Sequence, residues 1–202
     1  MVITILKAAM DSWYNYSLYP AFEGRDIISR IIGPANLNFK IRKARLDDVP
    51  AIYELLKHMA GRGLLLPRSR ANIYEMIQTF WVGETEDGLV VGTASLQVAW
   101  ETLGEVRSLA VREDHGGLGL GRALTKAVED EARALGAYRL FVLTYVPDFF
   151  KDLGFTVIPL AELPEKIWSV CFQCVHYPDC RETAMIKYLT PGLNGDGDGR
   201  PK

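Results

Sequence analysis

Four glycines crowd one ten-residue stretch, REDHGGLGLG, and their spacing is the first chemistry the chain offers. Gly116, Gly117, Gly119 and Gly121 stand between an apolar, β-rich run, GEVRSLAV (104–111), and an amphipathic run, RALTKAVEDEARAL (122–135). A strand that feeds a glycine loop opening a helix is suited to holding an anion. The first N–H groups of a helix have no partner within it, and that end carries partial positive charge. Glycines let those N–H groups approach a phosphate with no Cβ in the way. The spacing narrows the ligand. A dinucleotide fingerprint needs G-x-G-x-x-G, whereas Gly117, Gly119 and Gly121 run G-x-G-x-G. An ATP-type phosphate loop needs Gly-Lys-Ser/Thr, and Gly121 is followed by Arg122 and Ala123. Taken alone, the glycines fit a plain turn as well as a phosphate cradle.

A second constellation lies near the C-terminus. Cys171, Cys174, His176 and Cys180 offer four soft ligands, enough for a tetrahedral zinc site. They span only ten residues, while structural zinc sites more often use two separated pairs. Quiet thiols in a loop are the plainer expectation, and a reducing compartment opposes a disulfide. These are the only cysteines in the chain, so no secreted disulfide framework is present.

The elements that position these residues follow from periodicity. In a chain of 202 residues, 49% hydrophobic, 24% charged and with net charge −2, an ordinary globular domain with extensions is expected. The near-neutral charge argues against nucleic-acid binding. No apolar run reaches the ~18–20 residues of a membrane span. The N-terminus lacks the pattern of a signal peptide, so a cytoplasmic protein is expected. Residues 1–38 hold Trp13, Tyr14, Tyr16, Tyr19 and Phe22, and Phe22 to Ile32 suit a short amphipathic helix. They read as an extension packed on the domain or as an arm for a homodimer. Residues 39–190 read as the domain, and 191–202, rich in Gly and Asp, as a disordered tail.

Within the domain, FKIRKARL alternates like a half-buried strand. Asp47 or Asp48 can cap a helix over VPAIYELLKHMA, with Pro50 in its first turn. Ser69 or Asn72 can cap a second helix running through Ile73, Met76, Ile77 and Phe80. WVGE and LVVGTASLQVAW read as a hairpin around Glu86-Asp87-Gly88. The central strand follows, ending near Val111, with residues 105, 107, 109 and 111 on one face unless a bulge intervenes. The long helix presents Leu120, Leu124, Val128 and Leu135 on its apolar side and ends at Gly136. YRLFVLTY is a strand buried on both faces, PDFFKDL a short helix, and GFTVI and ETAMIKYL the last strands. The order is β-α-α-β-β-β-α-β-α-β-β.

That order, an α/β mixed sheet flanked by helices, is similar to the GNAT acetyltransferase fold. The glycine loop resembles that family's R/Q-x-x-G-x-G/A motif, with Gly119 and Gly121 at its two small positions. Gly116 falls where the family prefers Arg or Gln, which removes one side-chain contact but not the backbone cradle. The phrases GEVRSLAV, FVLT, FFKDLGF, LPEKIW and CFQCVHYPDCRETAM together resemble the short, kinase-less amino-acid N-acetyltransferases of the N-acetylglutamate synthase type. The resemblance covers roughly 39–189. It implies transfer of acetyl from acetyl-CoA to the α-amine of L-glutamate, the first step of arginine biosynthesis.

The same resemblance assigns roles. Glu105, opening the central strand, is implied as the base. Backbone groups at Leu109, Ala110 and Val111 would pair with the acetyl and pantetheine arm, because in this fold the strand splays from its neighbour. Gly116, Gly117, Leu118, Gly119, Leu120, Gly121 and Arg122 would hold the pyrophosphate, with Thr144 and Phe150 also on the cofactor side. The family's tyrosine in F-Y-x-x-x-G-F is Phe150 here, so Tyr145 is the nearest phenol to protonate the leaving thiolate. An acceptor with carboxylates calls for guanidinium groups, which bind a carboxylate by two parallel bonds. Arg68 and Arg107 are the expected pair, with Ser69 and Ser108 as hydroxyl donors and Lys166 as a third cation. Two other readings stay open: a GNAT acting on a polyamine, an antibiotic or a protein N-terminus, and a sensor of acetyl-CoA without turnover.

Overall fold

A computed structural model describes residues 39–163 and 181–189. The N-terminal extension, Lys166, the Cys171–Cys180 cluster and the tail lie outside the described residues. Among the described residues, seven strands form one sheet in the order β1-β2-β3-β4-β5-β7-β6. They are β1 (Phe39–Lys43), β2 (Phe80–Thr85), β3 (Val90–Trp100), β4 (Leu103–Val111), β5 (Arg139–Thr144), β6 (Thr156–Val157) and β7 (Thr183–Tyr188). The helices are α1 (Val49–Gly61), α2 (Arg70–Glu75), α3 (Leu120–Ala134) and α4 (Pro147–Lys151). The element order is the one expected. All strand pairs are antiparallel except β4 with β5.

Two layers of helix cover the sheet. α3 lays Leu120, Leu124, Val128 and Ala132 on one face, against Leu96, Val106, Leu109, Val111 and Val142. α1 and α2 cover the other face with Ile52, Leu56, Met59 and Ile73, against Phe80, Val82 and Ala110. The seat of α3 is cut by glycine. Gly83 and Gly92 are cross-strand partners. A Cβ on either would stand 2.5 Å or 2.9 Å from a methyl of Leu120. That hollow takes Leu120 almost completely, leaving 1% exposed. Full burial of such a side chain stabilises by about 2 kcal/mol and fixes the helix start.

Several boundaries differ from expectation, each for a local reason. β1 stops at Lys43, because Leu46–Asp48 turn into a 3-10 helix. Asp48 precedes α1 but does not cap it through its side chain. Its carboxylate instead accepts the Arg45 backbone N–H at 2.7 Å and pairs with the Arg42 guanidinium at 2.6 Å. Of the two candidate caps for α2, Ser69 serves, accepting the Asn72 N–H at 3.1 Å. α2 closes at Glu75, and Phe80 begins β2 as a fully buried core residue. α3 starts two residues earlier than its polar run suggests. Leu135 is 62% exposed rather than buried, because the helix ends just before it. Gly136, at φ 84, lets its own N–H bond Arg133 O and the Ala137 N–H bond Ala132 O. Those are the two bonds of a Schellman ending. β6 keeps only two residues, both exposed, at the sheet edge.

Candidate active site

The centre of the sheet opens where its one parallel pair gives out. β4 pairs β5 only through Leu103↔Arg139, Gly104↔Leu140 and Glu105↔Phe141. β4 then runs on to Val111 and β5 to Thr144 with no further ladder between them. The rims of this cleft are the main chain after Glu105 on one side and after Phe141 on the other. Such a cleft can take an extended ligand through backbone N–H and C=O groups, with no special side chain required.

A bulge sets the near rim. Ser95 faces Arg107 and Thr93 faces Ala110, so Ser108 and Leu109 together oppose Ala94. Ser108 holds φ at 51, alone among the described non-glycine residues in the left-handed region, at a cost of roughly 1–2 kcal/mol. Ser95 Oγ donates to Arg107 O at 3.2 Å and pins the distortion. The bulge overturns the regular count of faces. Glu105, Arg107 and Ala110 share the face toward α1 and α2, while Val106, Leu109 and Val111 share the face toward α3. Backbone strain of this kind concentrates at functional sites.

On the α1–α2 side the charged residues gather. Arg107 Nε lies 2.9 Å from Glu105 Oε2, with side chains 15% and 5% exposed. Arg68, from the α1–α2 connection, is half-buried and donates to Asn72 Oδ1 at 2.7 Å. Its pKa is pushed down to about 10, first by burial and then by the positive charge of Arg107. Arg68 and Arg107 therefore feel one another across two elements of the chain. Tyr145 is half-buried and packs with the same cluster as Ala110. Thr144 is fully buried, and its Oγ1 accepts the Val146 N–H at 3.0 Å. Ser69 Oγ accepts the α2 cap bond, and Ser108 is buried in the bulge.

The glycine loop enters α3 at the same end of the sheet as the tip of β4. Arg112 holds Asp114 at the loop entry, with the Asp114 carboxyl driven far below the usual range by Arg112 and then His115. Gly117 and Gly119 adopt φ of 75 and 82, which a side chain would strain. Gly119 is the N-cap of α3, so no side chain caps this helix. The N–H groups of its first turn, at Leu120, Gly121 and Arg122, have no intrahelical acceptor. Gly116 is extended, at φ −67 and ψ 152. Leu118 is 46% exposed beside the buried Leu120. Arg122 is exposed and donates to Asp152 O at 3.3 Å, tying the loop to the end of α4. Phe150 is fully buried, edge-on to Phe149 at 5.0 Å and to Phe155 at 5.3 Å. An uncapped helix N-terminus and a cleft leading to it fit a phosphate-bearing arm such as that of coenzyme A.

Sequence reasoning missed Asn72 as a partner of Arg68, Ser95 as the pin of the bulge, and Gly83 with Gly92 as the seat of Leu120. Only the glycines left a signal, since glycine inside a strand marks a close approach. No group of three or more His, Cys, Asp or Glu that could hold a metal occurs among the described residues. No described helix is long and apolar enough to cross a membrane.

Comparison with known proteins agrees with this architecture. Residues 49–155 match the acetyltransferase (GNAT) family. An amino-acid acetyltransferase of Mycobacterium tuberculosis is 43% identical over 159 residues, covering 77% of this chain and 90% of the relative. The chain belongs to the acetyltransferase (GNAT) family. Among solved structures, Rv2747 of M. tuberculosis in complex with CoA superposes at TM-score 0.65 with 33% identity, over 75% of this chain and 99% of that one. The N-acetylglutamate synthase of Neisseria gonorrhoeae, complexed with coenzyme A and N-acetyl-glutamate, gives TM-score 0.70 with 30% identity. This chain spans 35% of that longer protein.

Proposed function

We propose that this acetyltransferase moves the acetyl group of acetyl-CoA to the α-amine of L-glutamate, in one step within a ternary complex. The observation that carries the acceptor is a half-buried Arg68, held by the neutral Asn72, that feels the positive charge of Arg107 on the central strand. The two positive charges repel, a carboxylate of the acceptor would offset that repulsion, and a guanidinium can hold a carboxylate by two parallel bonds. A cationic polyamine would meet repulsion at the same place. The names of the relatives support an amino-acid acceptor.

In this reading Glu105 takes a proton from the ammonium group, directly or through one water. The amine lone pair attacks the thioester carbon. Backbone N–H groups near Leu109, Ala110 and Val111 donate to the carbonyl oxygen as its charge grows. The nitrogen gives up its second proton to solvent, the C–S bond breaks, and the thiolate leaves and takes a proton from Tyr145 or water. The pyrophosphate rests on the uncapped start of α3, over Gly116 to Arg122, with Thr144 and Phe150 behind it. Ser69, Ser108 and Lys166 are the remaining candidates for the acceptor. The reading places the enzyme in the cytoplasm and in arginine biosynthesis.

Release of free CoA, followed with a thiol reagent at pH 8 across L-glutamate, glutamine, aspartate, ornithine and spermidine, tests it. Turnover with glutamate that is lost in Arg107→Ala supports the reading. Turnover with ornithine or spermidine but not glutamate removes the acceptor and keeps the acetyltransferase. Acetyl-CoA binding with no turnover of any amine makes the protein a sensor.

A further inference from the structure

Arg68 is held by a neutral group. Its Nη1 donates to Asn72 Oδ1 at 2.7 Å, one helical turn further along the chain. Among the described residues no carboxylate lies within 4 Å of its guanidinium. Arg42, Arg107, Arg112 and Arg133 each have one. Desolvation makes a half-buried arginine costly, and a carboxylate partner is the usual compensation. Here burial and the charge of Arg107 push the Arg68 pKa down to about 10, and the partner that holds it returns no negative charge. With Glu105 countering Arg107, the three groups keep one positive charge in excess. Asn72 is itself fixed in the first turn of α2, where its backbone N–H donates to Ser69 Oγ.

We propose that Asn72 is a positioning residue for acceptor choice: its amide oxygen orients Arg68 without neutralising it, so that the charge remains for a carboxylate of the acceptor. An aspartate of the same shape would hold Arg68 equally well and spend that charge internally. The inference rests on the acceptor reading above and deepens it.

Asn72→Asp tests it with little risk to folding. The replacement is isosteric, keeps the backbone bond to Ser69, and adds negative charge at a helix N-terminus, where the dipole favours it. Steady-state kinetics are compared with the wild type for L-glutamate, L-glutamine and acetyl-CoA. The expected result is a rise of at least about tenfold in acceptor KM, the size of a lost hydrogen bond to a charged group. Both kcat and the acetyl-CoA KM stay within about twofold. A rise for glutamate alone assigns Arg68 to the side-chain carboxylate, and a rise for both acceptors assigns it to the α-carboxylate. Asn72→Ala, which removes the tether but not the charge, raises the same KM by less. An acceptor KM unchanged in Asn72→Asp, with the wild type active, overturns the role of Asn72 alone. A wild type that turns over neither amino acid overturns both this role and the acceptor reading.

Discussion

The two faces of β4 are made from one run of nine residues, yet they do opposite work. Toward α3 the strand presents Val106, Leu109 and Val111, all buried among helix side chains. Toward α1 and α2 it presents Glu105 and Arg107, paired at 2.9 Å, and then Ala110. A regular strand could not do both with this sequence, because Leu109 would then share the face of Arg107. The bulge at Ser108 inserts one residue and returns the apolar SLAV run to the core. Ala110 is left on the other face, fully buried in the cluster under α1 and α2. The strained serine and the core anchoring are thus one device, and the strain is held by Ser95 from below.

The comparison breaks most sharply if chemistry and stability can be lost separately. Glu105→Gln keeps shape and a contact with Arg107 while removing the proposed base. A fall in kcat of about 10²–10⁴-fold is expected at pH 7.5, the usual share of general-base catalysis, together with a lowered melting temperature, because Arg107 loses its buried counter-charge. The loss should shrink as pH rises toward the amine pKa, since the acceptor then arrives deprotonated. A pH-independent loss would assign Glu105 to holding Arg107 instead.

On the other face, Leu109→Ala should cost about 2–5 kcal/mol of stability, read by urea denaturation, because the cavity opens against α3. The kcat of the surviving folded fraction should change far less than in Glu105→Gln. A large kcat loss with little loss of stability would mean that the two faces are not separable.

The bulge itself is probed at Ser108. Ser108→Gly relieves the left-handed backbone and loosens the unfolded chain, two effects of about 1 kcal/mol each that oppose, so stability and activity should both stay close to wild type. Ser108→Val cannot adopt φ of 51 without strain. It should destabilise by at least about 2 kcal/mol and lose activity as the residues after it change face. Equal behaviour of the two variants would show that the bulge is not what sorts the faces.

The fold was largely legible because its signals are local. Gly136 after a periodic run, Ser69 before α2 and the glycine loop each act within a few residues, and the element order follows from them. The bulge was not legible, since nothing in SLAV distinguishes a regular strand from one with an extra residue. It depends on the β3 register, where Ser95 and Thr93 sit opposite residues three apart. Asp48 looked like a cap because capping is the local option. It is drawn away by Arg42, a residue of β1, whose guanidinium lowers its carboxyl pKa. Leu135 fit the helical period, but the Schellman ending cuts the helix one residue short of it. For the bulge and for Asp48, a partner on another element overrode a rule written in neighbours; for Leu135 one local signal, Gly136, overrode another, the helical period.

The smallest effect sharpens the polar face alone. Burial, and then the positive charge of Arg107, push the Arg68 pKa down to about 10, below the ordinary range of a guanidinium. The sign is the reverse of a salt-bridged cation. The lowered pKa is a cost of folding present at neutral pH, and it is relieved as pH rises through about 10. A carboxylate ligand needs the charged form, so its affinity should fall over the same interval. Glutarate, which has both carboxylates of the proposed acceptor but no amine, isolates this from substrate ionisation. Its inhibition constant against the acceptor should be flat from pH 7 to 9 and rise by up to about tenfold per unit above pH 10. In Asn72→Asp the added carboxylate raises the Arg68 pKa, so the curve should flatten, from a weaker starting affinity. A glutarate profile flat to pH 11 in the wild type would place the dicarboxylate away from Arg68 and leave Arg107 as its anchor.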